Sequence, residues 1–234
     1  MNVSEIKGST NNLSELDWSG IDTEQVALVP IPITSQPNAY IRTKWADREY
    51  GLTRSAQLSL ARSGNKILAR LEWDKVDGNA SEKEDGFDGE FTDAAAIFFP
   101  LDFVANGQGD QPEAPPLTIG THQAPVRLWY WRDQLPIQRD LPPIKELYAS
   151  GPGVFRPNLN ESVRSNKDVA TTDSLSVQAL KSDNHWTVVI SGEYEGANNI
   201  EKMGIAIWDG SNQERAGIGS VSPQWIGLEQ TGRL

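Results

Sequence analysis

Short runs of apolar, β-branched and aromatic residues alternate along this chain with clusters of Gly, Pro, Asn and Asp, and helical spacing is scarce. A period of two closed off by turn formers is the mark of strands, because successive side chains leave a strand on opposite faces. Strands are therefore predicted over residues 25–33, 40–45, 50–61, 66–74, 93–100, 126–132, 174–182, 185–194 and 203–208. Ser63-Gly64-Asn65 and Ser182-Asp183-Asn184 are tight connections of the hairpin kind. This pattern predicts an all-β chain built as a sandwich of two antiparallel sheets.

One strand stands apart from the others. In Val126-Arg127-Leu128-Trp129-Tyr130-Trp131, Trp129 and Trp131 fall on one face and Leu128 and Tyr130 on the other, so bulky groups occupy both sides. Such a strand either builds an aromatic core or walls a flat ligand. Three stretches read as loops instead. Residues 76–90 are acidic, with carboxylates whose spacing is not that of an EF-hand, and are expected to be a solvated loop. Residues 105–116 are rich in Gly and Pro, and residues 134–167 carry five prolines, Pro136, Pro142, Pro143, Pro152 and Pro157. Long irregular insertions in compact domains are often functional, so 134–167 is read as a partner-binding arm, with a plain surface loop as its rival. The expected organisation is a flexible N-terminal segment over 1–17, one sandwich domain over 18–226 and a loose C-terminal tail over 227–234.

Composition narrows the function. The chain of 234 residues has a formal net charge of −11, which lacks the basic footprint of a nucleic-acid binder. It has no cysteine, so it holds no disulfide, no Cys-ligated zinc and no iron–sulfur cluster of its own. No run approaches the ~18 apolar residues of a membrane span. The opening residues are polar and lack the charged and apolar regions of a signal peptide. Histidines are confined to His122 and His185, and there is no Gly-x-Ser-x-Gly elbow, phosphate-cradling loop or zinc-binding His pair. An independent catalytic site is not expected.

Four stretches carry a resemblance. They are Gly64 to Trp73, Phe91 to Pro100, Ile119-Gly120 followed by Pro125 to Trp131, and Ile205 to Ser222. In order and spacing they resemble the haem-binding gamma subunits of ethylbenzene dehydrogenase, dimethylsulfide dehydrogenase and chlorate reductase, and the resemblance runs through nearly the whole chain. It implies an immunoglobulin-like β-sandwich with long irregular loops, one haem b, and larger catalytic and iron–sulfur partner subunits of a molybdenum enzyme. It also implies a periplasmic setting, reached as a mature form or carried across with a partner, with a cytoplasmic chain as the alternative. The family holds haem iron through a Met and a Lys, and the matching positions here are Ile119 and Gly219. Neither side chain has an electron pair for iron, so the resemblance speaks for the fold more strongly than for the cofactor.

The resemblance also nominates Trp129, Trp131 and Arg215 as walls of a haem pocket, with Arg215 either pairing with a propionate or holding its own loop. His122, three residues beyond Ile119, is the best remaining donor to iron, with a solvated loop residue as the alternative. Met203 is expected in the core, and Asp93 and Asp209 at strand ends and turns. The leading functional expectation is a non-catalytic gamma-type subunit that relays electrons if haem is bound and is structural if not. The rival is a haem-free module, either a carbohydrate-type binder using the Trp-rich strand or an assembly subunit.

Overall fold

The computed structural model describes residues 1–6, 12–76, 91–101, 116–133, 142–157, 174–194 and 200–230. Among the described residues there are fifteen strands: β1 Asn2–Glu5, β2 Thr23–Ala27, β3 Val29–Pro30, β4 Ser55–Ser63, β5 Lys66–Asp74, β6 Ala94–Pro100, β7 Val126–Arg132, β8 Ile144–Ala149, β9 Phe155–Arg156, β10 Ser176–Ser182, β11 His185–Glu193, β12 Lys202–Trp208, β13 Ser220–Val221, β14 Ile226–Gly227 and β15 Glu229–Gln230. They form two sheets. The first runs β10-β11-β5-β4-β1-β15 with β2 also on β4, and the second runs β3-β13-β12-β6-β7-β8-β9 with β14 also on β12. Pairing is antiparallel throughout except at β1, which lies parallel to both β4 and β15.

Side-chain alternation explains why these strands stack. On β5, Ile67, Ala69, Leu71 and Trp73 face inward to meet Ile97, Phe99, Trp129, Trp131, Ile205 and Ile207 of the second sheet in one buried cluster. Burying each such large side chain contributes roughly 1.5–3 kcal/mol, so this interface dominates the stability. At its centre Trp73 and Trp186 stack with centroids 6.2 Å apart, while Trp131 meets both edge-on at 6.3 and 5.1 Å. Met203 is fully buried in the same cluster. The backs of both sheets are covered as well. Ile6, Leu13 and Leu16 pack on Ala61, Leu68 and Val189, and a separate apolar cluster lies on the outer face of the second sheet.

Several elements differ from the sequence expectation. Residues 40–45 lie in a helix, α1 (Ala39–Trp45), started by Asn38, whose side chain accepts the Tyr40 N–H at 2.9 Å. The run 25–33 splits at Leu28, so that β2 pairs with β4 in one sheet while β3 pairs with β13 in the other. Both chain ends, expected loose, supply strands: the main-chain partners of β1 are β4 and β15. The proline-rich stretch contains β8, which pairs with β7 from Ile144↔Trp131 to Ala149↔Val126. Its middle is therefore sheet, because Pro142 and Pro143 precede the strand and leave its N–H groups free for the ladder. The acidic loop over 77–90, most of the Gly- and Pro-rich stretch and residues 134–141 and 158–167 of the proline-rich stretch lie outside the described residues.

Candidate functional site

The two positions implied as ligand sites lie on the outer side of the second sheet. β7 turns Leu128 and Tyr130 to this side, where they join Phe98, Ala206, Trp208, Ile119 and the half-buried Phe155 in one apolar cluster. Ile119 is fully buried there, with a left-handed backbone at φ 52°. That conformation costs a β-branched residue ~1–2 kcal/mol, offset here by burial of its side chain. Its N–H bonds the Pro116 carbonyl at 2.9 Å. Next to it Gly120, at φ 80°, has no room for a side chain, since a Cβ would sit 2.8 Å from the Ala149 carbonyl oxygen.

Gly219 meets the same cluster through Trp208. A Cβ at 219 would stand 2.5 Å from Trp208 Cδ1 and 2.7 Å from its Nε1. The indole is fixed in that place: its N–H donates to the Ala216 carbonyl at 2.9 Å, and its ring meets Tyr130 at 5.4 Å and Phe155 at 6.2 Å. The loop around Gly219 is pinned from the other side by the buried Gln36, whose Nε2 donates to the Gly217 carbonyl, and by the Ile31 N–H, which donates to the Gly219 carbonyl at 3.0 Å.

Of the nominated residues, the structure brings Ile119 and the neighbours of Gly219 together and separates the others. Trp129 and Trp131 point the opposite way, into the inter-sheet core, so one strand divides them from Ile119 and Trp208. They are correspondingly out of reach of a sugar face. Their indole environment is structural: Trp129 donates to Glu146 Oε2 at 3.2 Å. Arg215 is exposed, with its guanidinium 4.0 Å above the Phe91 ring, and its carbonyl accepts the Ile218 N–H at 2.9 Å. His122 is exposed on a turn closed by Thr121 and Ala124, whose backbones bond at 2.9 Å. A haem held between positions 119 and 219 does not fit these residues: one offers a buried hydrocarbon and the other a bare backbone backed by an indole.

A second feature was invisible in the spacing. Asp93, buried just ahead of β6, accepts from Lys75 Nζ at 2.8 Å, from Trp186 Nε1 at 2.9 Å and from the Gly210 N–H at 2.9 Å. Asp209 stands 3.6 Å from the same Lys75 and caps its own turn through the Ser211 N–H at 2.9 Å. Burial pulls the Lys75 ammonium down, but the bond and charge of Asp93 and the charge of Asp209 outweigh it and hold the group above its ordinary value. Glu214, which the sequence did not single out, is also buried. It accepts from the N–H groups of Gly51 at 2.6 Å, Leu52 at 3.2 Å and Asp209 at 3.1 Å and from Asn212 Nδ2 at 3.0 Å. Burial, helped by the Asp209 charge, pushes its carboxyl up despite those bonds. These contacts lock loops to the end of the sandwich. Among the described residues no group of three or more His, Cys, Asp or Glu could hold a metal, and no helix is long and apolar enough to cross a membrane.

Comparison with known proteins adds the context that geometry lacks. The chain is 27% identical over 209 residues to a protein of Haloferax mediterranei named as a respiratory nitrate reductase heme subunit, covering 86% of this chain and 63% of the relative. It is 28% identical over 182 residues to the chlorate reductase subunit gamma of Ideonella dechloratans, covering 74% and 64%, and 24% identical over 230 residues to the dimethylsulfide dehydrogenase subunit gamma of Rhodovulum sulfidophilum, covering 94% and 76%. Its relatives are haem and gamma subunits of oxidoreductases. The chain spans less than two thirds of the length of the first two of these relatives. No protein-family model matches it.

Proposed function

We propose that this chain is a non-catalytic gamma-type subunit of a multi-subunit oxidoreductase, of the molybdenum-enzyme kind its motifs resemble, and that it serves structurally rather than as a haem carrier. What supports the subunit reading is that relatives named as haem or gamma subunits align over 74% to 94% of the chain. What supports the structural role is that the two ligand positions implied by the resemblance hold a buried Ile119 and a Gly219 with no room for a side chain. Its partners are larger subunits that carry the catalytic metal and the iron–sulfur clusters, neither of which this cysteine-free chain can ligate through thiolates. The periplasmic setting belongs to the same reading. The carbohydrate-binder alternative loses its platform, since Trp129 and Trp131 are buried.

Isolation of the tagged full chain from its native source tests this. Stoichiometric recovery with a large oxidoreductase subunit is expected, and recovery as a lone monomer under low-salt conditions would contradict the proposal.

A further inference from the structure

Several cations on the strands of this acidic molecule sit against carboxylates. Arg62 meets Glu5 at 3.1 Å, Arg70 meets Glu72 at 2.8 Å, and Arg127 meets Glu146 at 2.6 Å. Arg132 and Lys145 do not: among the described residues no carboxylate pairs with either. Both lie on the outer side of the second sheet. Lys145 is directly opposite Tyr130 in the β7–β8 ladder, and Arg132 is two residues along the same face, with its N–H bonded to the Pro143 carbonyl at 3.0 Å. Diagonal neighbours of this kind stand ~7–8 Å apart, within reach for two long side chains.

Both cations are half-buried. Burial first and the Arg132 charge second pull the Lys145 ammonium below its ordinary value, and burial pushes the Tyr130 phenol beside them up to about 12 against the pull of Arg132. Partly desolvated like charges without a counter-ion are a cost that opposing carboxylates would offset with charge-assisted hydrogen bonds. Leu147 on β8 and Phe155 on β9, also half-buried, flank them on the same side. Against a net charge of −11, a paired set of cations on one strip gives an acidic partner local complementarity and a defined register.

We propose that the outer side of β7, β8 and β9 is a docking surface for an acidic segment of a larger partner subunit, with Arg132 and Lys145 each taking a carboxylate and Leu147 and Phe155 forming the apolar rim. This rests on the subunit reading above. It moves the interface from the proline-rich arm to the strand that arm contains.

The test uses the complex isolated from the native source. A carbodiimide activates a carboxylate, the Lys145 amine displaces the urea, and a zero-length amide records the contact. Mass spectrometry is expected to find Lys145 joined to an Asp or Glu of the larger chain. Reversal by Arg132→Glu with Lys145→Glu, and neutralisation by Arg132→Gln with Lys145→Gln, are each expected to lower partner recovery at least about tenfold, the order expected for losing interfacial charge pairs. Arg54→Glu, at an exposed position in the first sheet's approach to β4, is expected to leave recovery unchanged. If wild type retains the partner and both double variants retain it fully, or Lys145 joins only a second copy of this chain, the docking surface is wrong and the subunit reading stands. If wild type retains no larger chain, both fall.

Discussion

Asp93→Ala is expected to destabilise the protein by about 3–5 kcal/mol, the range for removing one partner of a buried ion pair. Asp93 stitches the two sheets together at one end: Lys75 follows β5 and Trp186 lies on β11 in the first sheet, while Gly210 follows β12 in the second. Alanine leaves a half-buried ammonium with only Asp209 at 3.6 Å, and strands an indole N–H and a backbone N–H. Each orphaned donor costs about 1–3 kcal/mol if nothing replaces its acceptor. Lys75→Met is expected to cost less, since Asp93 then keeps two of its three short donors. Urea unfolding of both variants checks this. A loss below about 1 kcal/mol for Asp93→Ala would show that water replaces the carboxylate cheaply.

The second large effect concerns Gly219. Adding a single methyl as Gly219→Ala places it 2.5 Å from Trp208 Cδ1 and 3.0 Å from the Ile207 carbonyl. The indole cannot swing aside without breaking its bond to Ala216 and its ring contacts with Tyr130 and Phe155. Overpacking of this sort typically costs about 1–3 kcal/mol. Gly219→Lys is expected to cost more, because its stem begins at the same blocked point. Placing donors at positions 119 and 219 is therefore expected to be insufficient for haem binding while Trp208 keeps its place. Thermal melts of Gly219→Ala check the premise; an unchanged midpoint would mean the indole yields readily.

Much of the fold was legible because its main strands alternate cleanly. β5 and β7 match the sequence expectation, and β4, β6, β10, β11 and β12 are recovered with shifted ends. Both faces of β7 are in fact packed, as Leu128, Trp129, Tyr130 and Trp131 imply. The helix Ala39–Trp45 was missed because Tyr40, Ile41, Thr43 and Trp45 carry strand preference, and only Asn38 marked a helix start. β8 was hidden behind its prolines. The parallel seam joining Met1's neighbours to Glu229 and Gln230 depends on contacts across the whole chain, which no local period reports.

The site was less legible for the same reason. Period two correctly paired Trp129 with Trp131, but which face looks toward Ile119 is decided by the second sheet and its loops. Glu214 and Lys75 become informative only once folding brings them beside Asp209 and Asp93.

The most direct measurement is the visible absorption spectrum of the full chain, purified after expression with excess haem and passed through gel filtration. The account predicts no Soret band retained with the protein, because neither Ile119 nor Gly219 donates to iron and His122 stands exposed on a closed turn. One tightly held, six-coordinate low-spin haem b per chain would contradict it.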